Sequence, residues 1–270
     1  MNKTTPEPKL SSTILLLRDA PSLEVLMVKR HYEIDFAAGA LVFPGGKTHE
    51  EDVSEAWDIL SDGNYQGPQL AARISAIREA FEESGVLLAR HASDRGPGRP
   101  LVDARTAEAL APHRGPIDRR EESFVELMRD NGLVLALDTL VHFGHWITPT
   151  MMPKRFDTHF YIAPTPPEQL ATHDGRETTE TAWLTPQGAL DMEADGKATI
   201  IFPTRMNLAK LAECASTQDA MTRFDGEAVV TVLPVVGQDD AGNPCLHIPP
   251  EAGYIQSIEP LERVANVAKR

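Results

Sequence analysis

Between Arg78 and Val86 the chain reads Arg-Glu-Ala-Phe-Glu-Glu-Ser-Gly-Val, and no other stretch restricts its fold and chemistry as strongly. Pro68 near the start and Gly85 at the end predict a helix from about Gln69 to Ser84. At about 100° per residue, with Glu79 as origin, Glu82 falls near about −60° and Glu83 near about +40°. Three carboxylates therefore share one face. Ile74, Ile77 and Phe81 fall on the opposite side, which predicts a helix that packs inward and displays an acidic cluster outward. Like charges three and four residues apart repel and weaken an isolated helix. A cation among them turns that liability into a site, and hard oxygen ligands suit Mg²⁺ or Mn²⁺. Amphipathic surface helices also carry three glutamates without any ligand, so the face alone does not decide. The full pattern R-E-x-x-E-E-x-G does more, since five fixed letters coincide by chance on the order of once in 10⁶ positions.

The rest of the chain supplies a scaffold for such a helix. Ser12 to Arg18 and Glu24 to Arg30 read as strands joined through Asp19-Ala20-Pro21-Ser22 into a hairpin. Ala40 to Phe43 is a short apolar strand that stops at Pro44-Gly45-Gly46. Glu51 to Leu60 reads as a short helix, Ser61 to Pro68 as a loop, and Val86 to Ala89 as a buried strand. Asp94 to Pro100 is a surface loop, followed by helical stretches near 103–111 and 118–130. Strands return at Leu140 to Ile147, Thr158 to Ala163 and Thr178 to Leu184. A helix follows Pro186, another spans about 204–215, and Ala228 to Val236 is a late strand. Strands interleaved with a few helices predict an α/β sandwich, with 91–135 as a helical insertion. A length of 270 residues suits one core with insertions better than two ordinary domains.

Charge and cysteine content narrow the function. Acidic residues outnumber basic ones by 40 to 26, a formal charge of −14. A protein that neutralises nucleic-acid phosphates leans the other way, so no nucleic-acid partner is expected. A polyanionic substrate would need metal ions or a local basic patch to offset the repulsion. Cys214 and Cys245 are far apart and outside any ligand-like spacing, which favours a reducing cytoplasm. The apolar run Thr13 to Leu17 is far shorter than the roughly 20 residues of a membrane span. It does not read as a signal peptide either, so no membrane association is expected.

With Phe43-Pro44-Gly45-Gly46-Lys47 upstream, the Arg78 to Val86 string resembles the signature of the Nudix hydrolase family, G-x5-E-x7-R-E-U-x-E-E-x-G-U, with U aliphatic. The second half matches from Arg78 to Val86, with Ala80 at the first U position. The first half begins at Gly46 and departs twice. Asp52 stands where the family has Glu, and 25 residues lie between Asp52 and Arg78 where the family has seven. The 18 extra residues must loop out between the glycine turn and the helix. Such an insertion resembles the branch that contains the coenzyme A and acyl-CoA diphosphatases. So do Trp146-Ile147-Thr148-Pro149, Lys154 to Phe160, and Pro203-Thr204-Arg205 followed by Asn207-Leu208. The resemblance runs from about residue 10 to 215. The arginine- and histidine-bearing motif that other CoA-cleaving members place before Phe-Pro-Gly-Gly is absent, and residues 29–42 keep only a loose echo of it.

The resemblance implies a Nudix-type α/β/α sandwich with a mixed central sheet over residues 10–236, with insertions at 53–69 and 91–135. Residues 1–9 are expected to be a flexible lead and 237–270 a C-terminal extension. It implies Mg²⁺ or Mn²⁺ held by the Gly45 carbonyl and the carboxylates of Glu79, Glu82 and Glu83, with Arg78 orienting those carboxylates. Asp52 is the obvious partner for Arg78, with turn capping as the competing role. The family often takes a further acid from a later loop as base or ligand. Glu177 and Glu180 are the candidates, with solvated charges the plainer reading. Lys29-Arg30 and Lys154-Arg155 offer charge for phosphates, so Arg30, Lys154 and Arg155 are candidate substrate contacts, although solvated charges are the plainer reading of each pair. His142, His145 and His159 show no metal spacing and are expected to pack or hydrogen-bond. Trp146, Phe156 and Trp183 are expected in the core. The implied substrate is CoA or an acyl-CoA, split to 3′,5′-ADP and a 4′-phosphopantetheine product. NADH, ADP-ribose or another small nucleotide diphosphate remains open, as does a catalytically silent nucleotide-binding module. The oligomeric state is not legible.

Overall fold

The apolar run Thr13–Leu17 sits in strand β1 (Lys9–Asp19), and Ile14, Leu15, Leu16 and Leu17 are all fully buried. A strand with no exposed face must be covered on both sides. The computed structural model describes residues 5–30, 39–169, 171–172 and 178–268, with the backbone alone for Arg30, Thr178, Thr179 and 265–268. Strand β1 turns through the expected hairpin into β2 (Leu23–Arg30), and the short strands β3 (Leu41–Val42) and β4 (Gly45–Lys47) pair with β2 and β1 respectively. A 3₁₀ turn at Glu50–Val53, helix α1 (Trp57–Leu60) and strand β5 (Ser61–Asp62) lead into the long helix α2 (Gly67–Ser84). Gly85 ends that helix at φ 76°, a conformation only glycine adopts without strain.

Strand β6 (Ala89–His91) is followed by α3 (Ala104–Leu110), α4 (Arg114–Asp118), α5 (Phe124–Asp130) and β7 (Leu133–Ala136). The chain then returns through β8 (Val141–Ile147), β9 (Phe156–Pro164) and β10 (Thr178–Leu184). Helices α6 (Pro186–Ala194), α7 (Phe202–Leu211) and α8 (Thr217–Phe224) precede β11 (Thr231–Val232), β12 (Val235–Gln238), β13 (Pro244–His247), β14 (Ile258–Pro260) and α9 (Leu261–Ala268).

The central sheet runs β10-β2-β1-β9-β8-β11, with β3 beside β2 and β4 beside β1. It is mixed, because β1 pairs with β9, and β8 with β11, in parallel while the other pairings are antiparallel. Ile14 and Leu16 pack with Ile74, Ile77 and Phe81 of α2 on one face. Leu15 and Leu17 pack on the other with Phe143, Phe160 and Leu208, under α6 to α8. This is the expected α/β/α sandwich with a mixed sheet. Among the described residues, no helix is long and apolar enough to cross a membrane.

Several local expectations are corrected. The acidic face of α2 does not look outward: from Ala71 to Ser84 every residue but Arg73 is buried, because the glycine turn and the helical insertion cover the carboxylates. The extra residues after Asp52 loop out, yet they are tightly packed. Trp57 is fully buried against Phe124, and β5 joins a three-stranded sheet with β7 and β6. The helix expected over 118–130 is broken at Arg120, which takes a positive φ of 58°, and restarts where Ser123 caps α5. The late strand splits at Pro234, which cannot donate to a ladder. Thr231–Val232 joins the central sheet and β12 a second three-stranded sheet, so the boundary drawn at 236 falls inside β12. The expected lead of 1–9 is also too long, since Lys9 opens β1 and the Pro6 carbonyl accepts from Arg155.

Candidate active site

Arg78 is the centre of the box. Its guanidinium is fully buried and donates from Nε and Nη2 to the two oxygens of Asp52, at 3.0 and 2.9 Å, and from Nη1 to Glu79 and Glu82, at 2.9 Å each. Nη2 also reaches the Lys47 carbonyl at 2.9 Å and Ser75 Oγ at 3.2 Å. Asp52 plays both roles weighed for it, because its Oδ2 also accepts from the His49 amide at 2.7 Å to cap the 3₁₀ turn. The long insertion does not pull Asp52 away because it is anchored at both ends. Trp57 Nε1 donates to the Glu51 carbonyl at 2.8 Å. The Glu51 carboxylate caps α5 by accepting from the Phe124 amide at 3.0 Å and from Ser123 Oγ.

Glu79, Glu82 and Glu83 are exposed by only 7%, 5% and 8%, so their charges interact with little screening. The glycine pair makes the approach possible. A Cβ on Gly46 would lie 2.4 Å from Glu79 Oε1, and one on Gly45 would lie 2.5 Å from the Ser12 carbonyl. The Gly45 amide donates to Glu83 Oε2 at 3.2 Å. Arg114, from the helical insertion, steadies the far end of α2 by donating to the carbonyls of Phe81 and Glu82 at 2.9 and 3.1 Å.

The charges do not balance. Asp52, Glu79 and Glu82 gather around one guanidinium, and Glu83 lies one residue on, bound by the Gly45 amide. Burial pushes the Glu82 carboxyl well above the usual carboxylate range; Arg78 opposes the shift, while Glu79, Asp118 and Asp52 add to it. Burial alone would lower Arg78, but Glu79, Asp52 and Glu82 outweigh it and hold the guanidinium above its ordinary range. Glu82 Oε1 is buried without any hydrogen-bond partner. An orphan acceptor of this kind costs about 1–3 kcal/mol, and an all-oxygen donor set with surplus negative charge fits a hard divalent cation.

Glu79 and Glu82 open, with Gly45 and Gly46, onto a cavity of about 820 Å³. Lys47, His49, Asp118 and Arg120 stand near them; Trp146, Phe156, Phe160 and Phe202 form apolar wall, and Arg205, Glu259 and Arg263 also line it. Burial, then Arg78, lowers the His49 imidazole to about 4. Of the expected substrate residues, Lys154 lines the cavity. Arg155 does not, since it donates to the carbonyls of Thr148 and Pro6 at 3.0 and 2.9 Å. Glu180 is exposed on the edge strand β10, paired with Lys29 at 3.1 Å and outside the cavity lining. Glu177 and the side chain of Arg30 lie outside the described residues. Trp146 is core and cavity wall at once, whereas Trp183 packs under Arg18. Sequence reading missed His49, Asp118, Arg120 and Arg263. The first lies inside the box and could have been flagged by position; Arg263, on α9, had no signal.

A solved Nudix hydrolase from Alicyclobacillus acidocaldarius superposes with a TM-score of 0.71 at 22% identity, covering 83% of this chain and all of that one, and so has the same fold. The family model described as the NUDT19 Nudix domain matches residues 61–211. The chain is similar to the acyl-coenzyme A diphosphatase NUDT19 of Xenopus laevis, 26% identical over 81% of this chain and 68% of that protein. It is similar also to the human protein of that name, 24% identical over 93% and 77% of the two chains. The chain belongs to the Nudix hydrolases, in the family of the NUDT19 Nudix domain.

Proposed function

We propose that this Nudix hydrolase is a divalent-metal-dependent diphosphatase of CoA or acyl-CoA, releasing 3′,5′-ADP and a 4′-phosphopantetheine product. The observation that carries the reading is the acid surplus around Arg78, with the orphan Glu82 Oε1, opening onto a partly apolar cavity of about 820 Å³. Gly45, Glu79, Glu82 and Glu83 would hold Mg²⁺ or Mn²⁺. When bound, such an ion supplies charge to screen the diphosphate and Lewis acidity to polarise a P–O bond. Arg78 holds Glu79 and Glu82 in one orientation, and the Gly45 amide holds Glu83. Lys47 and Lys154 bring positive charge to the cavity for phosphates, and the aromatic wall offers a surface for an adenine or an acyl chain. Water attacks one phosphorus while the other phosphate departs, with positioning and electrostatics providing most of the rate. The names of the NUDT19 relatives support the CoA choice.

The test compares kcat/KM for CoA, an acyl-CoA, 3′-dephospho-CoA, ADP-ribose and NADH under one metal condition, with products identified by mass. The expected result is a preference for CoA or acyl-CoA over the dephospho form, reduced in Lys154→Ala. Equal or better turnover of NADH or ADP-ribose would leave a diphosphatase and remove CoA as its substrate.

A further inference from the structure

On the antiparallel pair β8–β9, His145 lies directly opposite His159, and Asp157 opposite Ile147 two residues further along. An irregularity of register between His142 and Gly144 brings His142 into the same group, with its Nε2 at 3.1 Å from His159 Nδ1. Side chains alternate along a strand, so His145 and His159 project away from Trp146 and Phe160, which line the cavity. The group therefore sits across the sheet from that cavity wall, on the face covered by α2, where Arg73 stacks on Tyr161. His145 Nε2 contacts Asp157 Oδ1 at 2.5 Å and its Nδ1 contacts Thr231 Oγ1 at 2.8 Å. The rings of His145 and His159 stack with centroids 4.2 Å apart. One ligand atom from each of His145, Asp157 and His159 falls within 4.8 Å of the others.

We propose that His145, Asp157 and His159 form a second metal site, for an ion of the zinc class, that clips β8 to β9 and is distinct from the carboxylate site. Zinc takes nitrogen and oxygen ligands at about 2.0–2.2 Å in a tetrahedron, which places ligand atoms roughly 3.3 Å apart. All three residues stand on paired strands, and binding would require the stacked imidazoles to turn so that the present spacing closes. Thr231 and His142 are placed to orient the two liganding rings, the usual task of groups behind metal ligands. The charge setting selects the ion. Arg73, stacked on Tyr65 and Tyr161 at 4.0 and 4.7 Å, adds a positive field at His142 and His159, which Asp157 opposes at His159. A hard cation bound through charge alone is disfavoured there, whereas zinc, cobalt or nickel bind neutral imidazole nitrogen.

The experiment titrates Co²⁺ into the EDTA-treated, dialysed full chain in the presence of excess Mg²⁺, which occupies the oxygen site. The expected result is the strong visible absorption of low-coordinate cobalt, saturating near one equivalent and displaced by Zn²⁺. His145→Ala/His159→Ala should lose the band, and Asp157→Asn should bind at least about tenfold more weakly. Zn²⁺ should raise the thermal midpoint of the wild type and leave that of the double variant unmoved. If the double variant fails to fold, Asp157→Asn and His159→Gln carry the same comparison. A cobalt spectrum and stoichiometry that the variants share with the wild type would overturn the second site, without bearing on the diphosphatase reading.

Discussion

Arg78 and Arg90 are both fully buried among carboxylates, and the two regions use that charge in opposite ways. Arg90 donates to Asp62 at 3.1 Å and twice to Asp138, while Arg95 and the Gly96 amide also bind Asp62, at 2.8 and 2.9 Å. Two cations meet two anions there. Burial works against the charged form of Asp62, yet the Gly96 amide, Arg95 and Arg90 hold it below the ordinary carboxylate range. Around Arg78 three acids face one guanidinium, and Glu82 moves the other way. Each carboxylate sits beside a buried arginine, so proximity to an arginine does not separate a structural pair from a site. The balance of charge does. The Arg90 group ties the insertion strand β5 to β6, whereas the Arg78 group keeps an excess that a cation can take up.

The largest effect expected from that contrast is on stability. Arg78→Ala should cost about 3–5 kcal/mol in denaturant unfolding, the scale for stranding buried partners of a broken ion pair. Mn²⁺ should recover part of the loss. Arg90→Ala should cost less, because Asp62 keeps Arg95 and Gly96, and Mn²⁺ should recover none of it. Rescue of both variants, or of neither, would break the comparison. Next in size is a pair of isosteric neutralisations with opposite signs. Asp62→Asn should destabilise by about 1–3 kcal/mol by leaving bound donors without their acceptor. Glu82→Gln should leave the metal-free protein unchanged or more stable while removing its stabilisation by Mn²⁺. Similar losses in both variants would mean that Glu82 is an ordinary ion-pair partner. Asp52→Ala and Arg78→Ala should be non-additive by about 0.5–3 kcal/mol in a double-mutant cycle, and additive losses would remove Asp52 as the support of Arg78.

The smallest effect is on pH dependence, where the histidine group contrasts with both acidic ones. Burial, then His159, Arg73 and His145, lowers His142 to about 3. The unfolded chain therefore binds the His142 proton first, near the ordinary imidazole value of 6.5. The contribution of neutral His142 is complete above that value and is lost progressively as pH falls toward about 3. In EDTA, His142→Asn should flatten the fall of unfolding free energy across this window. An unchanged slope would show that His142 titrates alike in both states.

The Arg78 group was legible in sequence because its spacing is helical and local: residues 78, 79, 82 and 83 lie on adjacent turns of one helix. The α/β sandwich was legible for a similar reason, since β1, β2, β8, β9 and β10 each carry an apolar run, while the mixed sheet was implied by the resemblance. What escaped depends on contacts distant in sequence. The burial of the acidic face comes from Gly46 and Arg114 folding over α2. The tail was expected as a mere extension, yet Tyr254 accepts from Trp146 and donates to Asn207, and Glu259 pairs with Arg205 beside the cavity. The histidines met only through strand register, with an irregularity that no spacing rule anticipates.

The central claim is that the acid surplus around Arg78 holds a divalent ion for diphosphate cleavage. Its most direct test is kcat of Glu83→Gln with Mn²⁺ on the best substrate of the panel, alongside a far-UV spectrum of the same preparation. The account predicts a native spectrum and a kcat lower by at least about 10², the scale of losing a group that stabilises transition-state charge. A natively folded Glu83→Gln with wild-type kcat would contradict it.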